Sequence, residues 1–200
     1  MGTGEFDDMN TENKKIILAS ASPRRHELLR EMGVPYEVLV TDTDETAIGK
    51  PVERVRILAE RKARAAAAHL TEGIVIGADT LVALDDRSLG KPEDEEDAKF
   101  MIMSLSGRTH QVYTGVCLYD VAEKKVLVGA DCSDVTFKRL TRDMISSYMA
   151  SGEWEGKAGS YAIQGLGSDL VEKYEGSLSN IIGLPVEMLG EMLEKMGWKK

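Results

Sequence analysis

Apolar positions along this chain follow two periods in turn, and the changes of period mark the elements. A short apolar run at 15–19 reads as a buried strand. Behind it Leu28, Leu29 and Met32 recur at helical spacing, with Ser22 as N-cap, Pro23 as first helical residue and Gly33 as the stop. A second strand is expected around 36–40. Residues 52–70 read as a long helix whose inward stripe is Val52, Val55, Ala59, Lys62, Ala66 and Leu70, so Lys62 lies on the inward face. Residues 74–84 read as a strand broken by Gly77-Ala78-Asp79-Thr80, and 93–105 as an acid-started helix with Ala98, Met101, Ile102 and Leu105 inside. Two β-rich runs, 110–121 and 126–139, are joined by a short Ala-Glu-Lys-Lys turn and predict an antiparallel hairpin. Helices near 141–150 and 186–196 flank a Gly-rich stretch at 152–183. The alternation of helices and strands, together with the hairpin, predicts an α/β protein: a mixed, partly antiparallel, twisted sheet flanked by helices. Residues 1–14 are polar and without a period, which predicts a loose tail or an added extension. Residues 15–200 are expected to form a single catalytic domain, with room for two lobes around a central cleft.

Composition narrows the class. The chain has 42% hydrophobic and 30% charged residues and no apolar run near 18, so no membrane span is expected, and neither a signal peptide nor a lipidation motif is visible. Cys117 and Cys132 lie in strand-like apolar segments, where free thiols behave as small hydrophobes, and a reduced, cytoplasmic setting follows. A formal net charge of −9 argues against lasting association with nucleic acid. Any phosphate ligand therefore needs a local cationic cluster.

Such a cluster is visible near the first helix. Arg24 and Arg25 fall in its first turn, where the helix dipole disfavours a cation by roughly 0.3–1 kcal/mol each. An anion reverses that sign, and the hydroxyls of Ser20 and Ser22, the free backbone N–H groups and the two guanidinium forks converge there as a phosphate or carboxylate site. The plainer alternative is two solvated arginines. Asp79 stands inside an apolar run, where an ionised carboxylate is costly unless it is paired or holds a metal; otherwise it caps a turn. Lys62 and Lys91 are the candidate phosphate cations, although an inward lysine can also snorkel to water. Glu45 is a candidate metal ligand or base, or else an exposed turn acid. Glu45 and Asp79 together could hold Mg²⁺ with substrate oxygens and water. No His or Cys spacing suggests zinc, and His26, His69 and His110 read as surface or structural residues.

The motifs recur in a familiar order. SASPRRHELL (residues 20–29) follows an apolar strand. DTDET (42–46), ERKA (60–63), GADT (77–80), GKP (90–92), LSGRTHQVYTG (105–115), KAGSYAIQGLG (157–167) and IIGLP (181–185) then span nearly the whole chain. Together they resemble the Maf family of nucleoside triphosphate pyrophosphatases. The resemblance implies a Maf/ITPase-like fold with the active site in a central cleft. It also implies hydrolysis between the α and β phosphates to give a monophosphate and pyrophosphate, assisted by Mg²⁺ or Mn²⁺. In that family the acid matching Asp79 is the proton acceptor, and the positions matching Glu45, Lys62 and Lys91 share its site. Arg24, Thr80 and Gln164 match the subgroup acting on dTTP and UTP, which implies a pyrimidine base, and Gln164 offers both a donor and an acceptor to an imide edge. The family likeness further implies a homodimer. Two alternatives stand beside it. One is a nucleotide-sensing module linked to septum formation. The other is a haloacid-dehalogenase-like phosphatase, suggested by the D-x-D-x-T pattern at 42–46, with Asp42 as nucleophile, Asp44 as acid and base, and a downstream acidic pair imitated within 129–134.

Overall fold

Strands and helices alternate through the first half of the chain, and long strands pair through the second, within the residues that the computed structural model describes, 13–85 and 87–199. The elements are β1 (Ile16–Leu18), α1 (Pro23–Glu31), β2 (Glu37–Val38), α2 (Pro51–Ala67), β3 (Ile74–Leu84), β4 (Arg87–Leu89) and α3 (Glu95–Leu105). They continue with β5 (Thr109–Asp120), β6 (Val126–Phe137), α4 (Arg142–Ala150), β7 (Val171–Glu175), α5 (Leu178–Ile182) and α6 (Val186–Lys195). Among the described residues the strands form one sheet in the order β2-β1-β3-β5-β6-β7, with β4 also paired to β3. β1 runs parallel to β2 and β3, and all other pairs are antiparallel. The expected mixed α/β sheet and the β5–β6 hairpin are both present.

The side chains of β3 alternate between two layers. Ile74, Ile76 and Ala78 pack with Leu28 and Leu29 of α1 and Leu189 and Leu193 of α6, while Val82 and Leu84 pack with Ala98 and Ile102 of α3. Val75 faces the opposite way, onto Ala59, Ala63 and Ala66 of α2, and Leu81 and Ala83 meet Val55 of the same helix. Alanines let the α2 backbone lie close to the sheet, and two glycines bring it closer. A Cβ on Gly77 would sit 2.2 Å from the Ala59 carbonyl oxygen, and one on Gly115 would sit 2.3 Å from that of Val55.

Several elements differ from the sequence expectation. β3 runs unbroken through Gly77-Ala78-Asp79-Thr80, because Asp79 and Thr80 stay in register with Gly115 and Thr114 of β5. β2 is only two residues long. The buried face of α2 is wider than the expected stripe, since Leu58, Ala63 and Ala67 join it, while Val52 is half-buried and Leu70 lies beyond the helix end. The Gly-rich stretch contains β7 and α5, neither announced by hydrophobic period. β7 is an edge strand exposed along most of its length and rich in Glu and Lys, a composition that discourages pairing with another chain. Ser22 does hold the N-cap position of α1 but makes no side-chain cap bond; its N–H donates to Ser20 Oγ at 3.2 Å. Cys117 is buried as expected, whereas Cys132 is exposed, because β6 turns that position outward. Residues 1–12 of the expected tail lie outside the described residues. Asn13 and Lys14 are pinned: the Lys14 ammonium donates to Asp120 Oδ2 at 2.6 Å, and Asn13 exchanges hydrogen bonds with the backbone of Lys199.

One opening in the sheet decides where a ligand can enter. β1 ends where Leu18 pairs with Ile76, and the Ala19 N–H closes that side by donating to the Ile76 carbonyl at 2.9 Å. β4 joins the same side only at Val82. Among the described residues, positions 77–81 of β3 therefore have a strand partner on the β5 side alone. The opening lies just past the carboxyl end of parallel β1, where open α/β sheets habitually bind ligands.

The histidine expected to be structural is so. His110 is fully buried, its Nε2 hydrogen-bonds with the Tyr161 hydroxyl at 2.7 Å, and the rings of Phe137 and Tyr161 meet it edge-on. Burial pushes its pKa down from 6.5 to about 4, the charge of Asp134 opposing. The unfolded chain then takes up the proton first, so this contribution to stability is complete above about 6.5 and is lost as pH falls toward about 4. We expect the native protein to lose roughly 3 kcal/mol from this group over that range, and His110→Gln to lack that component. Thermal unfolding of both proteins from pH 7 down to pH 4 measures it, and identical acid-induced losses would contradict it.

Candidate active site

The unpaired stretch of β3 opens onto a cavity of about 1000 Å³, which suits a ligand the size of a nucleotide. Its walls come from the start of α1, the segment after β2, the inner face of α2, the segment around Lys91, residues 155–163 and the end of α5. Because β3 alternates, Asp79 and its neighbour Thr80 approach this space from opposite faces of the sheet.

On the α2 face, Lys62 Nζ donates to Asp79 Oδ1 at 2.7 Å and pairs with Glu45 Oε1 at 3.1 Å. The Lys62 side chain is 16% exposed and that of Asp79 14%, and the ammonium is spent on Asp79 and Glu45, so the lysine does not snorkel to bulk water. Lys91 Nζ approaches the other oxygen of Glu45 at 3.6 Å. The hydrogen bond from Lys62, and then the charges of Lys62 and Lys91, hold the Glu45 carboxyl below its ordinary range, burial opposing. Glu45 reaches this position because its loop is fastened to α2: Arg61 Nη1 donates to the carbonyls of Asp44 at 2.6 Å and Thr46 at 2.8 Å. Lys62 and Arg61 are adjacent, so one helical turn fixes both the cation and the loop that brings the acid.

On the other face the two arginines of α1 part company. Arg25 gives four of its five N–H groups to the protein. Its Nε donates to the Gly183 carbonyl at 2.8 Å, Nη1 to Ser20 Oγ at 3.1 Å and to the Ala78 carbonyl at 3.0 Å, and Nη2 to Thr80 Oγ1 at 3.0 Å. It ties α1, β3 and α5 together, and Ser20 and Thr80 are its partners. Thr80 Oγ1 also shares a hydrogen bond with Thr114 Oγ1 at 3.0 Å. Arg24 lines the cavity with no hydrogen bond or ion pair among the described residues, and burial lowers its pKa. Lys157 stands nearby; burial and then the charge of Arg24 lower its pKa in turn. Two like charges facing one space disfavour each other until an anion joins them.

The structure thus brings Asp79, Glu45, Lys62, Lys91, Ser20, Ser22, Arg24, Arg25 and Thr80 to one cavity. Gln164 is not among its lining residues; it is exposed, while its neighbour Ile163 does line the wall. Asp42 also lines the cavity, but Asp44 is turned away, its carboxylate accepting from Thr46 and paired with Arg61 at 3.2 Å. Asp131 and Asp134 are held in β6, outside the lining. The acid pair that an aspartyl-phosphate mechanism requires is therefore not assembled.

Two lining cations escaped the sequence reading. Arg54 precedes Lys62 by two helical turns, and a charged residue there is indistinguishable from a solvated one by pattern. Lys157 opens the motif at 157–167 but carries no periodic signal. As for a metal, no three His, Cys, Asp or Glu side chains cluster to hold one among the described residues. Glu45 and Asp79 nevertheless converge on a single ammonium, and a hard cation needs only one or two carboxylates when phosphate and water oxygens complete its shell. The residues present fit such an ion.

A mixed α/β sheet with an acid-lined, cation-rich cleft at a strand end defines an anion-binding α/β protein. The chain belongs to the Maf-like protein family, whose model matches residues 15–196. It is 46% identical over 187 residues to a protein of Pelotomaculum thermopropionicum named dTTP/UTP pyrophosphatase, covering 92% of this chain and 98% of that relative. A protein of the same name from Ruminiclostridium cellulolyticum is 44% identical over 189 residues, covering 93% of this chain and 98% of the relative. One from Bacillus cereus is 46% identical over 184 residues, covering 91% and 90%.

The two arginines should separate experimentally. Arg25→Ala strands four protein acceptors and should cost of the order of 3 kcal/mol of stability, whereas Arg24→Ala should stay within about 0.5 kcal/mol of the native protein. Chemical denaturation of both variants measures this, and equal losses would refute the division of labour.

Proposed function

We propose that this protein hydrolyses a pyrimidine nucleoside triphosphate, dTTP or UTP, to the monophosphate and pyrophosphate. The observation that carries the reading is the convergence of Asp79, Glu45, Lys62 and Lys91 across one cavity from the unpaired Arg24. The names of the relatives support the substrate and the products.

Water attacks the α phosphorus, and the bond to the α,β-bridging oxygen breaks. Asp79 accepts the proton of the attacking water, and Lys62, hydrogen-bonded to its Oδ1, holds the carboxylate in position. The lysines also offset negative charge that builds on the transferring and leaving groups. Glu45 and Asp79 would hold a divalent cation, Mg²⁺ or Mn²⁺, which when bound neutralises phosphate charge. Arg24 and Thr80 are assigned to selection of the pyrimidine; Gln164, assigned with them by the resemblance, stands exposed beside the lining residue Ile163 and would have to turn inward to join them. Thr80 is small and its hydroxyl is fixed by Arg25 and Thr114, which supports a defined wall on that side. No helix among the described residues is long and apolar enough to cross a membrane. A reducing cytoplasmic setting is part of this reading, supported by the free thiols of Cys117 and Cys132. A homodimer and the absence of stable nucleic-acid binding belong to it as well, the latter supported by the net charge of −9.

A panel of nucleoside triphosphates with Mg²⁺, Mn²⁺ or chelator, with products identified, tests the proposal. dTTP and UTP should be cleaved faster than ATP, GTP or 7-methyl-GTP, releasing pyrophosphate, and Asp79→Asn should lower kcat at least about 100-fold while remaining folded. Release of single phosphate, preference for a purine, nucleotide binding without turnover, or near-native activity of Asp79→Asn would each overturn it.

A further inference from the structure

Charge bookkeeping in the cavity leaves a gap on its α2 wall. Lys62 and Lys91 are matched one for one by Asp79 and Glu45, so this quartet is formally neutral. A triphosphate needs uncancelled positive charge as well. Arg24, which has no ion pair among the described residues, supplies it from the opposite side, where Lys157 stands among the acids Glu153 and Glu155.

Among the described residues Arg54 is the further lining cation that α2 itself supplies; the acid on the facing segment, Asp42, makes no ion pair with it. Arg54, Leu58 and Lys62 form one row of α2 at successive four-residue steps, and all three line the cavity. The row places Arg54 about 12 Å along the helix axis from Lys62, beyond the reacting centre rather than on it. Its Nε is closed off from solvent and has no hydrogen-bond partner, and no ion pair among the described residues reaches its guanidinium. The contrast with Arg25 and Arg61 is direct, because both of those spend their forks on protein oxygens. Thr41 Oγ1, on the segment facing α2, is a second cavity-lining group that is buried without a partner. A buried donor left unpaired costs roughly 1–3 kcal/mol, more when it is charged, and both residues line one cavity, so an acceptor-rich occupant toward which the two side chains turn would relieve that cost.

We infer that Arg54, with Thr41 beside it, binds the pyrophosphate half of the triphosphate and holds it as the leaving group. This rests on the proposed function. A planar guanidinium fork matches two phosphoryl oxygens, and pyrophosphate is the part of the substrate that carries most of its charge. Arg54 is thus assigned to substrate binding, away from the attacking water, which belongs to Asp79.

The test is isothermal calorimetry of the full chain with inorganic pyrophosphate and Mg²⁺, with dTMP as the second titrant, alongside dTTP turnover. Arg54→Gln should weaken pyrophosphate binding about 10–100-fold, leave dTMP binding within about twofold and lower kcat/KM for dTTP by a factor similar to the loss in pyrophosphate affinity. Arg54→Lys, which keeps the charge without the fork, should recover part of that loss and serves as the probe if the glutamine variant does not fold. Unchanged pyrophosphate binding in both variants, or parallel weakening of pyrophosphate and dTMP, overturns the assignment. So does a native protein that does not bind pyrophosphate. A native protein that binds pyrophosphate through Arg54 but does not cleave dTTP overturns the proposed function and leaves the pyrophosphate site standing.

Discussion

The cleft exists because five consecutive residues of β3 are paired on one side only. A parallel neighbour stops short of them and an antiparallel one starts beyond them, so an extended segment in the middle of a sheet presents its edge to a cavity instead of to another strand. A strand interior is otherwise a poor place for a carboxylate. Here the ladder to β5 supplies rigidity from one side while the open side admits a ligand, and the polar residues Asp79 and Thr80 face that space rather than a dry core. Gly77 and Gly115 then set how near α2 can come, because helix backbone occupies the volume their side chains would need. Lys62 meets Asp79 as a result of that close approach.

The distribution of charge follows from the same frame. Acids and lysines close to β3 cancel one another, and the cations without an ion pair among the described residues, Arg24, Lys157 and Arg54, stand further out, with Asp42 and Glu155 as the other lining acids. Such an arrangement is costly in an empty protein: two like charges share a wall, and a guanidinium nitrogen and a hydroxyl are buried without partners. Of the four buried side-chain atoms without a partner among the described residues, two belong to residues lining this cavity, the others being His110 Nδ1 and Asn180 Oδ1 in the core, and a cluster of unmet charge and donors is a common mark of a ligand site. Arg25 shows the other solution, a guanidinium with four of its N–H groups bonded within the protein.

Much of this was legible in the residues. The inward period of α2 put Lys62 on the sheet side, the hairpin was visible in its two apolar runs and turn, and the cost of a carboxylate in an apolar strand singled out Asp79. Other features lay beyond pattern. The polar pair in β3 looked like a break because period alone does not show that a strand edge is unpaired. β2 and β7 are edge strands without a buried face, so they carry little alternation. Arg24 and Arg25 are neighbours with the same chemistry, and only their partners in space tell the free one from the bound one. Gln164 was named on resemblance, and its exposed position does not follow from the motif. Arg54 was hidden for a simple reason: a lone arginine on a charged helix reads as solvated unless the opposite wall of its cavity is known.

The alternation of β3 has a consequence for how this protein tolerates change. Asp79 and Thr80 are adjacent yet address opposite faces of the sheet, each with its own set of partners. Insertion or deletion of a single residue within this ladder would exchange those faces, presenting a hydroxyl to Lys62 and a carboxylate to Arg25, while hydrophobic positions on either side swapped layers as well. Length in this segment is therefore a chemical variable, and lineages carrying the fold should accept substitutions here far more readily than any shift of frame.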